Sequence, residues 1–308
     1  MVACKVGAGF KPVSERSVDR DHALSARGGN LDTWADDFAT PAAPHRLPLM
    51  LYEPSSHEPL PSRPWDAGRA QVAIAAIVAD AESAGAESWL DAWRESADLL
   101  WAEWRGDLWL QDLYGSKQQI LGPAHGFVGD VLALAGGGLL DDARRAELVE
   151  RTVATLTKYA RREDGLAQWP AALQPSRSPA IRTQWCHGAP GIVASLGSVA
   201  PHNQQLTELL LAGGELTWQA GPLAKGANLC HGTAGNGYAF LKLFERSGDE
   251  LWLERARGFA MHAIEQVERA TAEHGRGRYS LWTGDVGTAL YLQGCLTATT
   301  TFPTLDTF

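Results

Sequence analysis

The sequence predicts an all-α protein in which antiparallel helix pairs are arranged in a ring. Two observations support this prediction. Apolar residues recur at three- and four-residue steps along several segments, as on one face of an α-helix, and no alternating apolar pattern long enough for a strand occurs. In addition, a Gly-x-x-Gly motif occurs four times, each time followed by an apolar segment. A recurring motif of this kind indicates a repeated helical unit.

The chain divides into an N-terminal leader over residues 1–46 and a helical domain over residues 47–308. The leader mixes charges with glycine and proline and sustains no helical period, so we expect it to be poorly ordered. Asp141 is a suitable N-cap for a third helix, and a fourth helix begins after Asp249. The four predicted apolar stripes are Val72, Ala76 and Ala79; Trp93, Leu100 and Trp104; Leu148, Thr152, Leu156 and Tyr159; and Trp252, Ala256, Phe259, Ala263 and Val267.

The repeat is marked by the first glycines of the four motifs, Gly126, Gly188, Gly232 and Gly284. They are separated by 62, 44 and 52 residues, enough for an inner helix, a loop and an outer helix. Glycine suits such turns because its backbone can adopt positive φ and approach a neighbouring turn closely. The alternative is four unrelated turns at the start of helices, with no common site.

The residues just before these glycines are His125, His187, His231 and Thr283. A ring of helix pairs with all four turns at one end would bring their side chains into a single cavity. The repeat-like spacing and the three histidines favour this shared cavity over unrelated turns.

Two of the turns place a cysteine directly before the histidine, as Cys186-His187-Gly188 and Cys230-His231-Gly232. Zinc prefers thiolate and imidazole ligands, and three such ligands leave a fourth position open for chemistry. The sequence therefore predicts a Zn²⁺ site formed by Cys186, Cys230 and His231. The alternatives are a purely structural zinc, or buried free cysteines beside a core histidine.

Charge and cysteine usage limit the partners and the compartment. The net charge of -9 would repel nucleic acid and anionic membrane surfaces. No apolar run reaches the roughly 18 residues of a membrane span, and we expect no secretory signal because residues 1–13 lack a long apolar core. The four cysteines are too few for a disulfide framework and suit a reducing compartment. We expect a cytoplasmic protein without a membrane span.

Three stretches of the chain resemble the turns of the lanthionine synthetase C-like family, with the resemblance extending over about residues 48 to 305. They are Gly122-Pro123-Ala124-His125-Gly126, Trp185-Cys186-His187-Gly188 and Cys230-His231-Gly232-Thr233-Ala234-Gly235. The resemblance implies an α/α toroid with a bound zinc ion. Family members usually have more inner hairpins than the four turns found here, so we expect one or more early hairpins to be missing. An aspartate that serves the family's cyclases as an acid/base group, on an early hairpin, has no identifiable counterpart.

The resemblance also implies an activity. A thiolate bound to zinc would add to dehydroalanine or dehydrobutyrine in a dehydrated peptide or protein, which forms a thioether. The thiol could belong to a peptide cysteine, giving lanthionine, or to glutathione, and the sequence leaves both open. Any dehydrated substrate must come from elsewhere, because the sequence has no dehydratase portion.

Further site residues follow from the family pattern. Arg182 matches a cationic position and would stabilise the developing enolate oxygen. His125 and His187 are candidates for proton transfer, with His125 preferred because the position of His187 is a tyrosine in the peptide cyclases. Lys225 matches a lysine that helps hold the glutathione carboxylate in stand-alone relatives; the alternative is a solvated surface lysine.

Two other functions are compatible with parts of the sequence. A zinc-stabilised protein could bind glutathione or a partner protein and catalyse nothing, since hairpins and the family aspartate are missing. A glycosidase on an α/α barrel would need an acid and a base carboxylate at the mouth. Only Asp130 and Asp285 lie near the turns, so a glycosidase is disfavoured.

Overall fold

A computed structural model describes residues 91–113, 116–173 and 182–306. These residues belong to two compact units, 91–106 in one and 107–306 in the other. In the first unit, residues 91–103 are helical, in agreement with the stripe that contains Trp93 and Leu100. The leader, its boundary near residue 46 and the stripe that begins at Val72 lie outside the described residues. They stay predictions.

The second unit is built from helices with two small β-hairpins. The helices are α1 (Phe127–Ala135), α2 (Asp142–Tyr159), α3 (Ala189–Leu196), α4 (Gln204–Ala220), α5 (Thr233–Ser247), α6 (Glu250–His274) and α7 (Asp285–Thr297), with a 3-10 turn at Gly136–Gly138. The strands are β1 (Gln111–Leu113), β2 (Ser116–Gln118), β3 (Arg161–Glu163) and β4 (Leu166–Gln168), and they pair antiparallel as β1–β2 and β3–β4. The strands were not predicted, because three residues are too few to display an alternating pattern.

The helices form an inner and an outer layer. The inner helices α1, α3, α5 and α7 each begin at a Gly-x-x-Gly turn, and each contacts the next one along the chain. The outer helices α2, α4 and α6 each pack against the inner helix that precedes them. All of α3 and the first eleven residues of α5 are buried, whereas α6 is buried along one stripe only. This arrangement confirms the all-α fold class, with four inner helices of an α/α toroid in the described residues. No helix of the described part is long and apolar enough to cross a membrane.

Each outer helix has a side-chain N-cap. Asp141 accepts a hydrogen bond from the Arg144 amide at 2.8 Å, Asn203 caps α4 in the same way, and Asp249 accepts from the Leu251 amide at 3.0 Å. Capping satisfies backbone donors that have no partner within the helix. The predicted starts at Asp141 and Asp249 are therefore confirmed. The inner helices have no side-chain cap at their N-cap glycines, so another interaction must fix their first turns.

The chain itself folds back over the start of each inner helix. A methyl group added to the second glycine of a motif would overlap the carbonyl oxygen six residues earlier in all four turns. The pairs are Gly129 with Pro123, Gly191 with Trp185, Gly235 with Leu229, and Gly287 with Leu281. Only glycine permits this approach, because it has no Cβ. The four motifs are therefore one repeated turn, which excludes unrelated turns as their explanation.

Neighbouring turns are joined by equivalent hydrogen bonds. The Cys186 amide donates to the Cys230 carbonyl at 3.1 Å, and the Cys230 amide donates to the Trp282 carbonyl at 2.9 Å. All three residues stand two positions before the first glycine of their motif. The turns of α3, α5 and α7 are thereby held in line by their backbones.

A second set of equivalent bonds uses the residue directly after each second glycine. The Asn236 amide group donates to the Thr183 carbonyl at 3.0 Å, and the Thr288 hydroxyl donates to the Ala227 carbonyl at 3.0 Å. Both acceptors lie five positions before the first glycine of the preceding motif. The repeat thus extends from the local turn to the junctions between turns.

We predict that Gly235→Ala lowers the free energy of unfolding by about 3 kcal/mol, because the new methyl group would overlap the Leu229 carbonyl and the backbone cannot yield freely. Gly258→Ala in α6 is the matched control. Its methyl group would meet only the Trp218 ring, at 3.8 Å, and alanine favours a helix interior over glycine by about 0.5–1 kcal/mol. Denaturant unfolding of both variants checks this. Equal stability of the two would contradict the repeated-turn explanation.

Candidate functional site

The structure brings Cys186 and Cys230 together. Their side chains are hydrogen-bonded to each other, and the backbone bond between the same residues holds the two turns in place. Cys186 is buried and Cys230 is half-buried. The Gln184 side-chain amide also donates to the Cys186 sulfur at 3.0 Å. The two thiols therefore lie side by side where α3 and α5 begin.

The surroundings favour the thiolate form of Cys186. The hydrogen bond from the Cys230 thiol lowers the pKa of Cys186, and burial opposes this effect. The bond from Gln184 and the positive charges of Arg182 and Lys225 lower the pKa of Cys186 further. Both cations are exposed, yet they lie close enough to act on this sulfur. The structure thus brings Arg182 and Lys225 to the cysteine pair.

The third predicted ligand, His231, lies in the same turn as Cys230 and is buried. Its backbone amide donates to the Asn228 side-chain oxygen at 3.1 Å, which fixes the turn. In the described residues, no three His, Cys, Asp or Glu side chains are gathered into a group that could hold a metal ion. Two thiols in contact beside an imidazole in the next position are a donor set that suits zinc chemically. The zinc site stays a prediction.

The turn that carries His125 packs beside the turn that carries His187. A methyl group on Gly122 would lie 2.9 Å from the Cys186 carbonyl oxygen and 3.6 Å from Nδ1 of His187. His125 itself is exposed and adopts a φ of 61°, an uncommon conformation for a residue other than glycine. His187 is half-buried. The proton-transfer roles predicted for the two histidines stay predictions.

The fourth turn contributes through its backbone. The Trp282 carbonyl accepts from Cys230, whereas the Thr283 hydroxyl is hydrogen-bonded to Ser280 within its own turn at 3.1 Å. The Asp285 carboxylate accepts from the Arg278 amide at 2.7 Å and so stabilises the start of α7.

The carboxyl group of Asp130, in the first turn of α1, has a raised pKa. Burial raises it to about 6, and the hydrogen bond from the Gln111 side chain, at 3.1 Å, opposes the effect. In the repeat, Asp130 occupies the position of Asn236 and Thr288, which join their turns to the preceding one. Here the partner is Gln111 of β1 instead.

Three supporting residues were missed by the sequence analysis: Gln168, Gln184 and Asn228. The Gln168 side-chain oxygen accepts the Ala189 amide at 2.7 Å and so satisfies the first turn of α3 from a separate β-hairpin. Asn228 had a local signal, because asparagine often bonds to a nearby backbone amide in a turn. The two glutamines had no such local signal. The bond between Gln168 and the Ala189 amide joins residues distant in sequence, and the bond from Gln184 to the Cys186 sulfur depends on the side-chain conformation of Gln184.

Comparisons with known proteins give consistent matches. A family model described as "Lanthionine synthetase C-like protein" matches residues 105–307. The chain is 39% identical over 111 residues to the LanC-like protein GCL1 of Arabidopsis thaliana, and 37% identical over 119 residues to the glutathione S-transferase LANCL1 of Danio rerio. These alignments cover 34% and 38% of this chain, but only 25% and 29% of the relatives. Among solved structures, a nisin cyclase aligns with a TM-score of 0.48 and 18% identity, covering 63% of this chain and 51% of that chain.

We predict that Cys230→Ala moves the alkylation profile of Cys186 to higher pH, because the hydrogen bond that most favours its thiolate is lost. The rate of iodoacetamide labelling at Cys186, measured against pH in chelator-treated protein, checks this. Cys295→Ala is the control, because the pKa of that buried thiol is raised to about 11. An unchanged profile in Cys230→Ala would show that the pair is not coupled.

We also predict that Asp130→Asn stabilises the fold at neutral pH. The pKa of Asp130 is higher in the folded state, so its protonated form stabilises the fold, and this contribution is lost as pH rises from 3.8 through about 6. The wild type should lose stability relative to Asp130→Asn across this window, as measured by melting temperature. The exposed Asp142→Asn is the control. A constant difference between wild type and Asp130→Asn at every pH would contradict the raised pKa.

Proposed function

Since the chain belongs to the lanthionine synthetase C-like family, we propose that it catalyses the zinc-dependent addition of a thiol to dehydroalanine or dehydrobutyrine residues, forming a thioether. The main support is the contact between Cys186 and Cys230, flanked by Arg182 and Lys225. In the proposal, Cys186, Cys230 and His231 hold Zn²⁺. A bound zinc ion would let an incoming thiol lose its proton near neutral pH.

The remaining steps belong to the side chains around the cysteine pair. The thiolate sulfur bonds to the β-carbon of the dehydrated residue, and the alkene electrons move towards the neighbouring carbonyl oxygen. Arg182 would stabilise the negative charge on that oxygen, since it is exposed and acts electrostatically on the same site. His125 would then deliver a proton to the α-carbon, with His187 as the alternative donor. The exposure of His125 suits contact with a large peptide substrate.

The thiol substrate is a peptide cysteine or glutathione. Lys225 would bind a glutathione carboxylate, and its electrostatic effect on Cys186 supports a place beside the reacting sulfur. A relative named as a glutathione S-transferase matches part of the chain, which also favours glutathione. The need for reduced thiols at Cys186 and Cys230 supports a cytoplasmic location.

A second candidate is a zinc-containing protein that binds glutathione or a partner without catalysis. Only four repeated turns occur in the sequence, fewer than family members usually have. No counterpart of the family's acid/base aspartate has been identified.

The first experiment measures metal content and thioether formation together. We expect about one zinc ion per chain, because the three proposed donors would bind a single ion. The ion should be lost in Cys230→Ala and retained in Cys295→Ala. Dehydroalanine peptides, with glutathione or with an internal cysteine, should yield thioether products detected by mass spectrometry. His125→Asn should lower kcat by about 100-fold or more, the usual contribution of a general acid.

Two further outcomes separate the alternatives. Lys225→Met should raise the KM for glutathione and leave ring closure by an internal cysteine unchanged if glutathione is the substrate. Stoichiometric zinc and glutathione binding, without any product from either thiol, would favour the binding protein over the enzyme.

A further inference from the structure

Residues 298–306, here called the C-terminal tail, follow α7 and return along α5. We propose that this tail is a positioning element for the cysteine pair, and that Phe302 is the residue through which it acts. The proposal rests on the proposed function only in treating Cys186 and Cys230 as the reactive centre. Phe302 acts on the cysteine pair through two tryptophans, Trp185 and Trp282.

Phe302 is completely buried in a cluster of aromatic rings. Its ring centroid lies 4.3 Å from that of Tyr238, 5.6 Å from that of Trp185 and 5.8 Å from that of Trp282. The Trp185 and Trp282 rings also pack on each other at 4.7 Å. Aromatic contacts at such distances contribute specific geometry as well as buried area. The tail therefore fills the space between the turns that begin α3 and α7.

Both tryptophans are joined directly to the cysteine pair. Trp185 is the neighbour of Cys186 in the chain, and the Trp282 carbonyl accepts the Cys230 amide. In the described residues, the buried indole nitrogen of Trp185 has no hydrogen-bond partner, so ring packing is what holds this side chain. Moving Phe302 would thus release Trp185 on one side and the Trp282 carbonyl on the other. The Cys186–Cys230–Trp282 backbone bonds lie between these two points.

An ion pair anchors the tail at its other end. Asp306 accepts the Phe302 amide at 2.6 Å and pairs with Lys242 of α5 at 2.8 Å. The Lys242 side chain is only 4% exposed, and it also bonds to Ser198 and Glu245. A buried ammonium must be paired, because an uncompensated charge in the interior is costly. The carboxylates of Asp306 and Glu245 together compensate the Lys242 charge, and Asp306 is the one that the tail supplies.

The contacts of the tail follow one stripe of α5. Tyr238, Lys242 and Glu245 are four and three residues apart, the spacing of one helix face. They contact Phe302, Asp306 and Thr300 respectively, the last through a hydrogen bond of 2.6 Å to Glu245. The tail is thus held at three points, and its aromatic residue is aimed at the turns of the candidate site. This attachment at three points favours a positioning role for the tail.

The test measures the two sulfurs directly in the full-length protein as purified. Phe302→Ala should raise the rate of N-ethylmaleimide labelling at Cys186 and Cys230 roughly five- to thirtyfold, the effect of losing a few aromatic contacts on a local opening equilibrium. Phe302→Leu should give a smaller increase because it retains part of the buried volume. Asp306→Asn should raise the rate as well, since Lys242 loses one of its two carboxylate partners. Hydrogen exchange at the Cys186 and Cys230 amides should rise in parallel.

Two controls separate positioning from general destabilisation. Phe259→Ala removes an equally buried ring that packs on Phe240 at 4.8 Å, and Glu215→Gln breaks the ion pair with Arg255. All variants are compared at the same interval below their own melting temperatures. The proposal is supported if only the Phe302 and Asp306 variants expose the cysteines. It is overturned if Phe259→Ala exposes them equally, or if Phe302→Leu and Asp306→Asn leave both labelling rates unchanged.

The labelling test also stands apart from the proposed activity. Exposed cysteines in the Phe302 variants, together with no thioether product from the wild type, would uphold the tail and reject the enzyme. If the wild type and the Phe302 variants form thioether equally well, and the labelling rates of the variants are unchanged, the enzyme is upheld and the positioning role of the tail is rejected.

Discussion

The structure depends on the close approach of the chain to the first turn of each inner helix. Where other helices have a capping side chain, α1, α3, α5 and α7 have backbone that folds back against two glycines. This contact fixes the direction of the chain just before each inner helix begins. The carbonyls and amides of neighbouring turns can then meet, as they do between Cys186 and Cys230. The positions of the site residues follow from a contact that involves no functional side chain.

The same constraint explains why the cysteine pair is well placed. Equivalent positions in successive repeats are brought together by equivalent backbone bonds, so two cysteines at that position must be neighbours. Their chemistry is then adjusted by side chains outside the repeat pattern, with Gln184 bonded to one sulfur and two cations nearby. The scaffold provides proximity, and residues specific to each turn provide reactivity.

Sequence patterns predicted those parts of the fold that are repeated or locally encoded. The four glycine motifs, the caps at Asp141 and Asp249, and the pairing of Cys186 with Cys230 all have short-range signals. The three-residue strands, the bond from the Ala189 amide to Gln168 and the burial of Phe302 have none. The strands are too short to display an alternating pattern, and the other two features join residues distant in sequence, which leaves no period or motif in the sequence. His231 illustrates the limit, because the sequence predicts its turn, whereas its role as a zinc ligand stays a prediction.

The equivalent junctions between the turns of α3, α5 and α7 also bear on how such a protein can change in length. Each inner helix contacts the next along the chain, and backbone bonds of the same kind join the turns of α3, α5 and α7. In such an array, stability is approximately a sum of the units and their nearest-neighbour interfaces. Removing a unit from one end therefore costs that unit and one interface, and leaves the remaining interfaces as they were. Evolution can shorten the array from the end remote from the cysteines without disturbing the junction on which their contact depends.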